Sequence, residues 1–480
     1  MPSIVLKAEN IVNEYLEPIG DSILIEDGRV KAINPSTAYA FEKRYSGIIA
    51  PAIVDAHLHI TWIGLALQGA DLRGARTPED VALRLARTRG PIAYGRGWDQ
   101  ENFTVRGKMP TRRLLDRYIP DRPAVAVRVC GHLAVANTLA LSISQIHTVY
   151  SGLVDAETGI VREDAVYHLV EALLEKVNAS LLVVKALEHI RSHGILGVSS
   201  MSCPISEAAA LAQIQEAGMP RVRVSCYPLP KDLDRALGIL GREGKAAIVG
   251  IKDFADGSLG ARTAYLSVSY NDDPGTRGMR LLDAKTIVKK AGPALSKGFR
   301  VAIHAIGDAA LDEVLEAYEA LSPGPNGRIE HASIVRPGQE RRIAGTGVHV
   351  IVQPHFRVSD WWIIDRLGRQ RLTWAYPFRR LADAGVRLAF STDSPVEPID
   401  PAETFRAALS ECNQPSCLPS EALTPEDALL AYTRNAAEAS GGPVAELGQI
   451  KPGSPACFTV LAVDPRREGL RISRIIDIGC

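Results

Sequence analysis

An α/β fold built on a TIM-like (β/α)8 barrel is what this sequence predicts, and three observations predict it. Eight short β-branched runs alternate with stretches of helical periodicity, which is the sign of a parallel sheet. The runs cover residues 53–58, 195–201, 221–226, 247–254, 299–304, 328–331, 348–353 and 386–392, while 284–297, 309–321 and 379–384 repeat apolar residues at helical spacing. Polar, chemistry-bearing side chains recur at the ends of the runs, where such barrels carry their active sites.

The two ends of the chain have another texture. Apolar runs flank the turn Glu26-Asp27-Gly28, a hairpin signal, and short strand-like runs return after Gly448. Residues 1–50 and 437–480 are therefore expected to form a small discontinuous β-sandwich, with the barrel in 51–60 and 191–436. Residues 61–190 exceed what one crossover helix needs and read as an insertion over the barrel mouth.

With 480 residues, two or three domains are expected. Lys+Arg and Asp+Glu balance at 55 each, so nothing favours nucleic acid or an anionic membrane as partner. The first residues lack the basic and apolar regions of a signal peptide, and no apolar stretch reaches the ~18–20 residues of a membrane span. A cytoplasmic protein with a small-molecule substrate is the expectation. The seven cysteines lack C-x-x-C spacing and are expected to be reduced thiols. Cys412 and Cys417 are too loosely spaced for a zinc site, with no histidine nearby.

The chemistry starts at His57-Leu58-His59. On a strand, residues i and i+2 share a face, so both imidazoles reach one metal ion. Later runs end in Lys252 and Asp253, in His304, in Glu330 and His331, and in Asp393, and His355 follows the seventh run. Five of the eleven histidines lie at these positions, which chance placement explains poorly. Imidazole plus carboxylate suits Zn²⁺ or a similar borderline divalent cation, which would supply metal-bound hydroxide as nucleophile. Asp393 would ligate the metal and take the water's proton; otherwise it is a turn residue or helix cap. His304 and His331 are otherwise hydrogen-bonded core histidines. Lys252 ligates only if carbamylated, bridging two ions; otherwise it pairs with Asp253 or Asp256. For substrate contacts the candidates are Trp98 and His132 in the insertion, Trp98 being otherwise a packed residue of that subdomain's core, and at the mouth Asp256, which otherwise orients Lys252, and His355, aimed at a developing oxyanion. His189 and His193 lack the glutamate of a metalloprotease helix, and no nucleotide-binding motif is present.

Several blocks carry a resemblance. Val54–His59 is similar to the first-strand His-x-His of the amidohydrolase superfamily. Gly97-Trp98-Asp99-Gln100, Gly131-His132-Leu133, Lys252-Asp253-Phe254-Ala255-Asp256-Gly257, His304-Ala305-Ile306-Gly307-Asp308, Arg328-Ile329-Glu330-His331-Ala332, Gln353-Pro354-His355 and Ser391-Thr392-Asp393 resemble its YtcJ-like branch, amidohydrolase family 3. The resemblance implies a metal-dependent hydrolase opening a non-peptide C–N bond, amide or cyclic amide. It implies a metal site of His57, His59, Lys252, His304, His331 and Asp393 holding one or two ions, and a homodimer. Cys130 stands where the family commonly has aspartate, which bears on substrate contacts. The alternatives are a barrel enzyme of other chemistry (decarboxylase, isomerase or phosphoesterase) or a non-catalytic scaffold.

Overall fold

In the computed structural model, which describes residues 3–36, 41–89, 91–105, 108–150, 152–174, 179–218, 221–411 and 421–480, the β-branched runs form two parallel sheets. A four-stranded sheet has the order Ala246–Ile248, Arg223–Tyr227, Ile195–Met201, Ile53–Leu58. A five-stranded sheet has the order Gly250–Phe254, Arg300–Ala305, Gly327–His331, His349–Val352, Arg387–Phe390. The single run expected over 247–254 is thus two strands, one in each sheet. Val249 makes the change: its N–H donates to the Cys226 carbonyl (3.0 Å) and its own carbonyl accepts from Arg300 N–H (3.0 Å). Gly250 follows because a Cβ there would stand 2.5 Å from the Arg300 carbonyl oxygen. The ends of the first and last strands are also tied, since Asp393 N–H donates to His57 O and His59 N–H to Ser394 O, both at 2.9 Å.

Helices follow the strands as the periodicity predicts. Ala284–Ser296 starts at Asp283, whose carboxylate accepts the Thr286 N–H. Asp308–Leu321 buries Leu311, Val314, Leu315 and Tyr318, and the Tyr318 hydroxyl donates to the Arg328 carbonyl at 2.9 Å, docking the helix on its sheet. Among the described residues no helix is long and apolar enough to cross a membrane.

The two ends of the chain meet in one seven-stranded mixed sheet. Cys457–Leu461 pairs antiparallel with Ile48–Pro51, which joins C-terminal strands to N-terminal ones edge to edge. Leu6, Ile11, Ile23, Ile25, Ile49, Phe458 and Val460 form its core. The expectation of free thiols fails here, because Cys457 and Cys480 form a disulfide. Antiparallel pairing sets Cys457 opposite Asp477, so the last residues return alongside it, a proximity that the linear spacing does not announce. Cys412 and Cys417 lie outside the described residues.

The chain divides into two compact units, Met1–His59 with Leu187–Cys480, and Ile60–Ala186. The second has its own six-stranded sheet, ordered Val154–Asp155, Ile160–Arg162, Leu133–Ala136, Ala124–Arg128, Ala93–Trp98, Ala70–Asp71.

His349 opens its strand buried beside Arg300, Arg328 and Arg387; burial first, and those guanidiniums next, hold its pKa down at about 3. An imidazole depressed in the folded state takes up a proton on unfolding between about pH 3 and its ordinary value near 6.5, so stability falls as pH drops through that window. Between pH 7 and pH 5 this one residue is expected to remove about 2 kcal/mol. Urea unfolding at the two pH values checks it: His349→Gln should flatten the pH dependence by that amount, and an unchanged slope would refute the assignment.

Candidate metal centre

Three strand ends bring imidazoles together. The His57 and His59 ring centroids are 5.5 Å apart, those of His57 and His331 5.0 Å, and those of His331 and His304 4.5 Å. One ligand atom each from His57, His331 and Asp393 lie within 4.8 Å of one another, and all three side chains are buried. His59 joins them through Nε2, 3.1 Å from Asp393 Oδ1, and His57 Nε2 is 3.4 Å from the same oxygen.

Partners behind the rings decide which nitrogen faces Asp393. His57 Nδ1–H donates to Glu330 Oε2 (2.6 Å), His59 Nδ1–H to the Met201 carbonyl (3.0 Å) and His331 Nδ1–H to Gln353 Oε1 (2.8 Å). These are acceptors, and Gln353 is set as one because its Nε2 donates to Ser391 Oγ (2.8 Å). With Nδ1 carrying the proton, a neutral imidazole keeps a bare lone pair on Nε2. Burial pushes His57 down to about 4 and His331 to about 3, so both are neutral near pH 7. Burial alone would raise Asp393, but the imidazoles of His57, His59 and His331 outweigh it and hold the carboxylate far below its usual range. The Nε2 atoms of His59 and His57 thus stand 3.1 and 3.4 Å from one Asp393 carboxylate oxygen, a geometry in which both nitrogens and the oxygen can take one cation. The donor set fits a divalent metal.

His304 is held differently: its Nε2–H donates to the Gly257 carbonyl at 2.9 Å. Any bond from His304 to a cation would have to come from Nδ1. Lys252 is 1% exposed, its Nζ 4.5 Å from the Phe254 ring centroid. Burial brings its pKa down to about 8 against the opposing fields of Glu330 and Asp393. Of the aspartates suggested as its partner, Asp253 pairs with Lys290 at 2.9 Å and acts on Lys252 through its field. Asp256 accepts backbone N–H groups from Ile306, Gly307 and Tyr265, which holds the loop after His304.

His355 is paired with a carboxylate. Its Nδ1–H donates to Glu397, which also accepts the Ser359 hydroxyl and raises the pKa of His355. In the unit Ile60–Ala186, His132 Nδ1–H donates to Glu163 (2.9 Å). Trp98 is 0% exposed, its indole N–H donates to the Ala126 carbonyl and its ring stacks on Phe103. The aromatic wall expected from Trp98 is instead part of that unit's packed core.

Sequence reasoning placed Glu330 at a strand end but gave it no role, and it assigned nothing to Gln353 or Asp55. Glu330 and His331 are neighbours that a regular strand would point to opposite faces. Both reach the site because the backbone at His331 and Ala332 turns left-handed (φ 73° and 43°), as it does at Asp393 (φ 56°). Asp55 accepts from His57 N–H, Thr392 N–H and the Thr392 hydroxyl, locking the two ligand-bearing loops together, and burial raises it to about 7.

The amidohydrolase family matches residues 47–472 of the chain. The putative amidohydrolase YtcJ of Bacillus subtilis is 30% identical over 93% of this chain and 91% of its own. N-substituted formamide deformylase of Arthrobacter pascens is 26% identical over 92% and 90%. The crystal structure of an uncharacterized metal-dependent hydrolase from Pyrococcus furiosus superposes with a TM-score of 0.82 at 35% identity, covering 97% of this chain and all of that one. Such neighbours carry a TIM-barrel-like α/β fold, and with buried imidazoles and a carboxylate gathered at strand ends, this chain belongs to the amidohydrolase family.

Proposed function

We propose that the protein is a metal-dependent hydrolase that opens a non-peptide C–N bond in an amide-like small molecule, with Zn²⁺ as the cation its donors fit. The observation that carries this reading is the set of Nε2 atoms turned on one ionised carboxylate, each ring fixed from behind. His57, His59, His331 and Asp393 would hold the ion, with His304 and Lys252 beside them. The relative that acts on N-substituted formamides supports an amide carbonyl as the reacting group. A divalent cation bound there supplies Lewis acidity, polarising that carbonyl and acidifying water.

The chain's own residues do the rest. Asp393, ionised and facing the imidazoles, accepts a proton from the attacking water and passes it to the departing nitrogen. His355, its proton retained by Glu397, donates to the carbonyl oxygen as negative charge builds on it. Phosphoester hydrolysis is less well supported, because the buried Arg328 is already paired with Glu330 at 2.8 Å.

Metal-depleted protein, reloaded with Zn²⁺ and offered N-substituted formamides, cyclic amides and phosphoesters, is expected to turn over an amide and no phosphoester; activity that survives depletion would end the proposal. Asp393→Asn should lower kcat by about 10³-fold with little change in thermal unfolding. A variant that keeps most of its turnover would remove Asp393 from the proton path. Gln353→Met deprives His331 of its acceptor and should weaken Zn²⁺ binding about 10- to 100-fold in a chelator competition. Unchanged affinity would mean that the ring needs no such support.

A further inference from the structure

A second group of metal-ligating atoms lies away from the imidazoles. The thiols of Cys203 and Cys226 and a carboxylate oxygen of Glu207 lie within 4.8 Å of one another. All three side chains are buried, at 1%, 0% and 1% exposure. Each comes from a different element. Cys226 is on strand Arg223–Tyr227, Glu207 is in the first turn of helix Ile205–Glu216, and Cys203 lies between strand Ile195–Met201 and that helix. Cys203 N–H donates to the Tyr227 carbonyl at 3.2 Å, which keeps the two cysteines side by side.

The cluster occupies the helix side of the sheet. Ser225 and Tyr227 direct their hydroxyls to carbonyls of Gly441 and Ser440, so Cys226, between them, points to the opposite face. Its register partner Ser200 donates to Glu207 Oε1, on the helix that covers that face. Cys226, burial and Glu207 together push the Cys203 thiol well above its usual range, since all three groups are anionic in their ligating forms. Such a group either retains its protons or exchanges them for a cation.

We propose that Cys203, Cys226 and Glu207 form a second, structural metal site that takes Zn²⁺ or another thiophilic divalent cation and clamps the two strands to the helix. Two thiolates and a carboxylate are a borderline-soft donor set, and Zn–S bonds of about 2.3 Å place tetrahedral sulfur ligands about 3.8 Å apart, within the observed spread. The fourth position is left for a water. Metal binding displaces the thiol protons to solvent and changes no oxidation state. The clamp would also steady the strand end that orients His59, because the Met201 carbonyl that accepts the His59 Nδ1–H is two residues before Cys203.

Cobalt reports on this site without reference to turnover, because a sulfur-to-cobalt charge-transfer band requires thiolate ligation and the imidazole–carboxylate group holds no sulfur. The full-length protein loaded with Co²⁺ is expected to show the band, Cys226→Ser to lose it, and Cys130→Ser to keep it. Elemental analysis of protein expressed with zinc should find one equivalent less in Cys226→Ser than in the wild type. If Cys226→Ser fails to fold, the wild type decides: bound Zn²⁺ must protect Cys203 and Cys226 from alkylation. Absence of the band in the wild type, unchanged zinc in Cys226→Ser, unprotected thiols, or a Cys203–Cys226 disulfide in a non-reducing peptide map would each overturn the proposal.

Discussion

A carboxylate that cannot reach water organises this site. Glu330 is 0% exposed, and its two oxygens are taken by the Arg328 guanidinium on one side and His57 Nδ1–H on the other. Burial opposes its charge, but Arg328 first and His57 next hold it ionised, far below the usual carboxylate range. An ionised Glu330 can only accept, which makes His57 the donor at Nδ1 and leaves Nε2 for a cation. Arg328 is itself anchored to the Ala56 and Ala439 carbonyls, so the tautomer of one ring is set by a chain of contacts across the sheet. Breaking a buried pair of this kind typically costs about 3–5 kcal/mol, because the surviving charge has nowhere to go.

The same logic is repeated with weaker partners. His59 uses a backbone carbonyl and His331 an amide oxygen, so three rings present the same atom although only one has a charged support. The left-handed residues His331, Ala332 and Asp393 belong to this arrangement. A strand in regular conformation delivers every second side chain to one face. Bringing Glu330 and His331 to a common point requires the backbone to leave that pattern where the strand ends. Backbone hydrogen bonds hold the departure in place: Ala332 N–H donates to the Ala305 carbonyl and Asp393 N–H to that of His57.

These particulars separate what was legible in the sequence from what was not. His57 and His59 were legible because they obey the two-residue period of a strand, and the parallel strands because their β-branched runs are long enough to stand out. The role of Glu330 was not, because period-two reasoning assigns it to the face opposite His331, and only a positive φ cancels that. Trp98 went the other way. It reads as a candidate wall for a pocket, but an indole N–H bonded to Ala126 and a ring stacked on Phe103 are packing features with no sequence signature. The run 247–254 concealed a change of sheet at Val249, which depends on partners found more than twenty residues away in either direction. The pairing of Cys457 with Cys480 was hidden for the same reason.

Lys252 follows from the same balance of buried charge. Its amine is surrounded by protein, lies over the Phe254 ring, and feels Glu330 and Asp393 as its strongest attractive fields. As an ammonium it competes with a metal ion for the field of those two carboxylates. With a pKa near 8, about one amine in ten is neutral at pH 7 and able to attack carbon dioxide. A carbamate formed in that way would reverse the sign of the side chain and turn a rival of the cation into a ligand. Imidazole count alone therefore does not set how many ions such a centre holds. If Lys252 carries a carbamate, the protonation chemistry of one buried lysine would enter that count, through the same burial that lowers the pKa of His57 and His331.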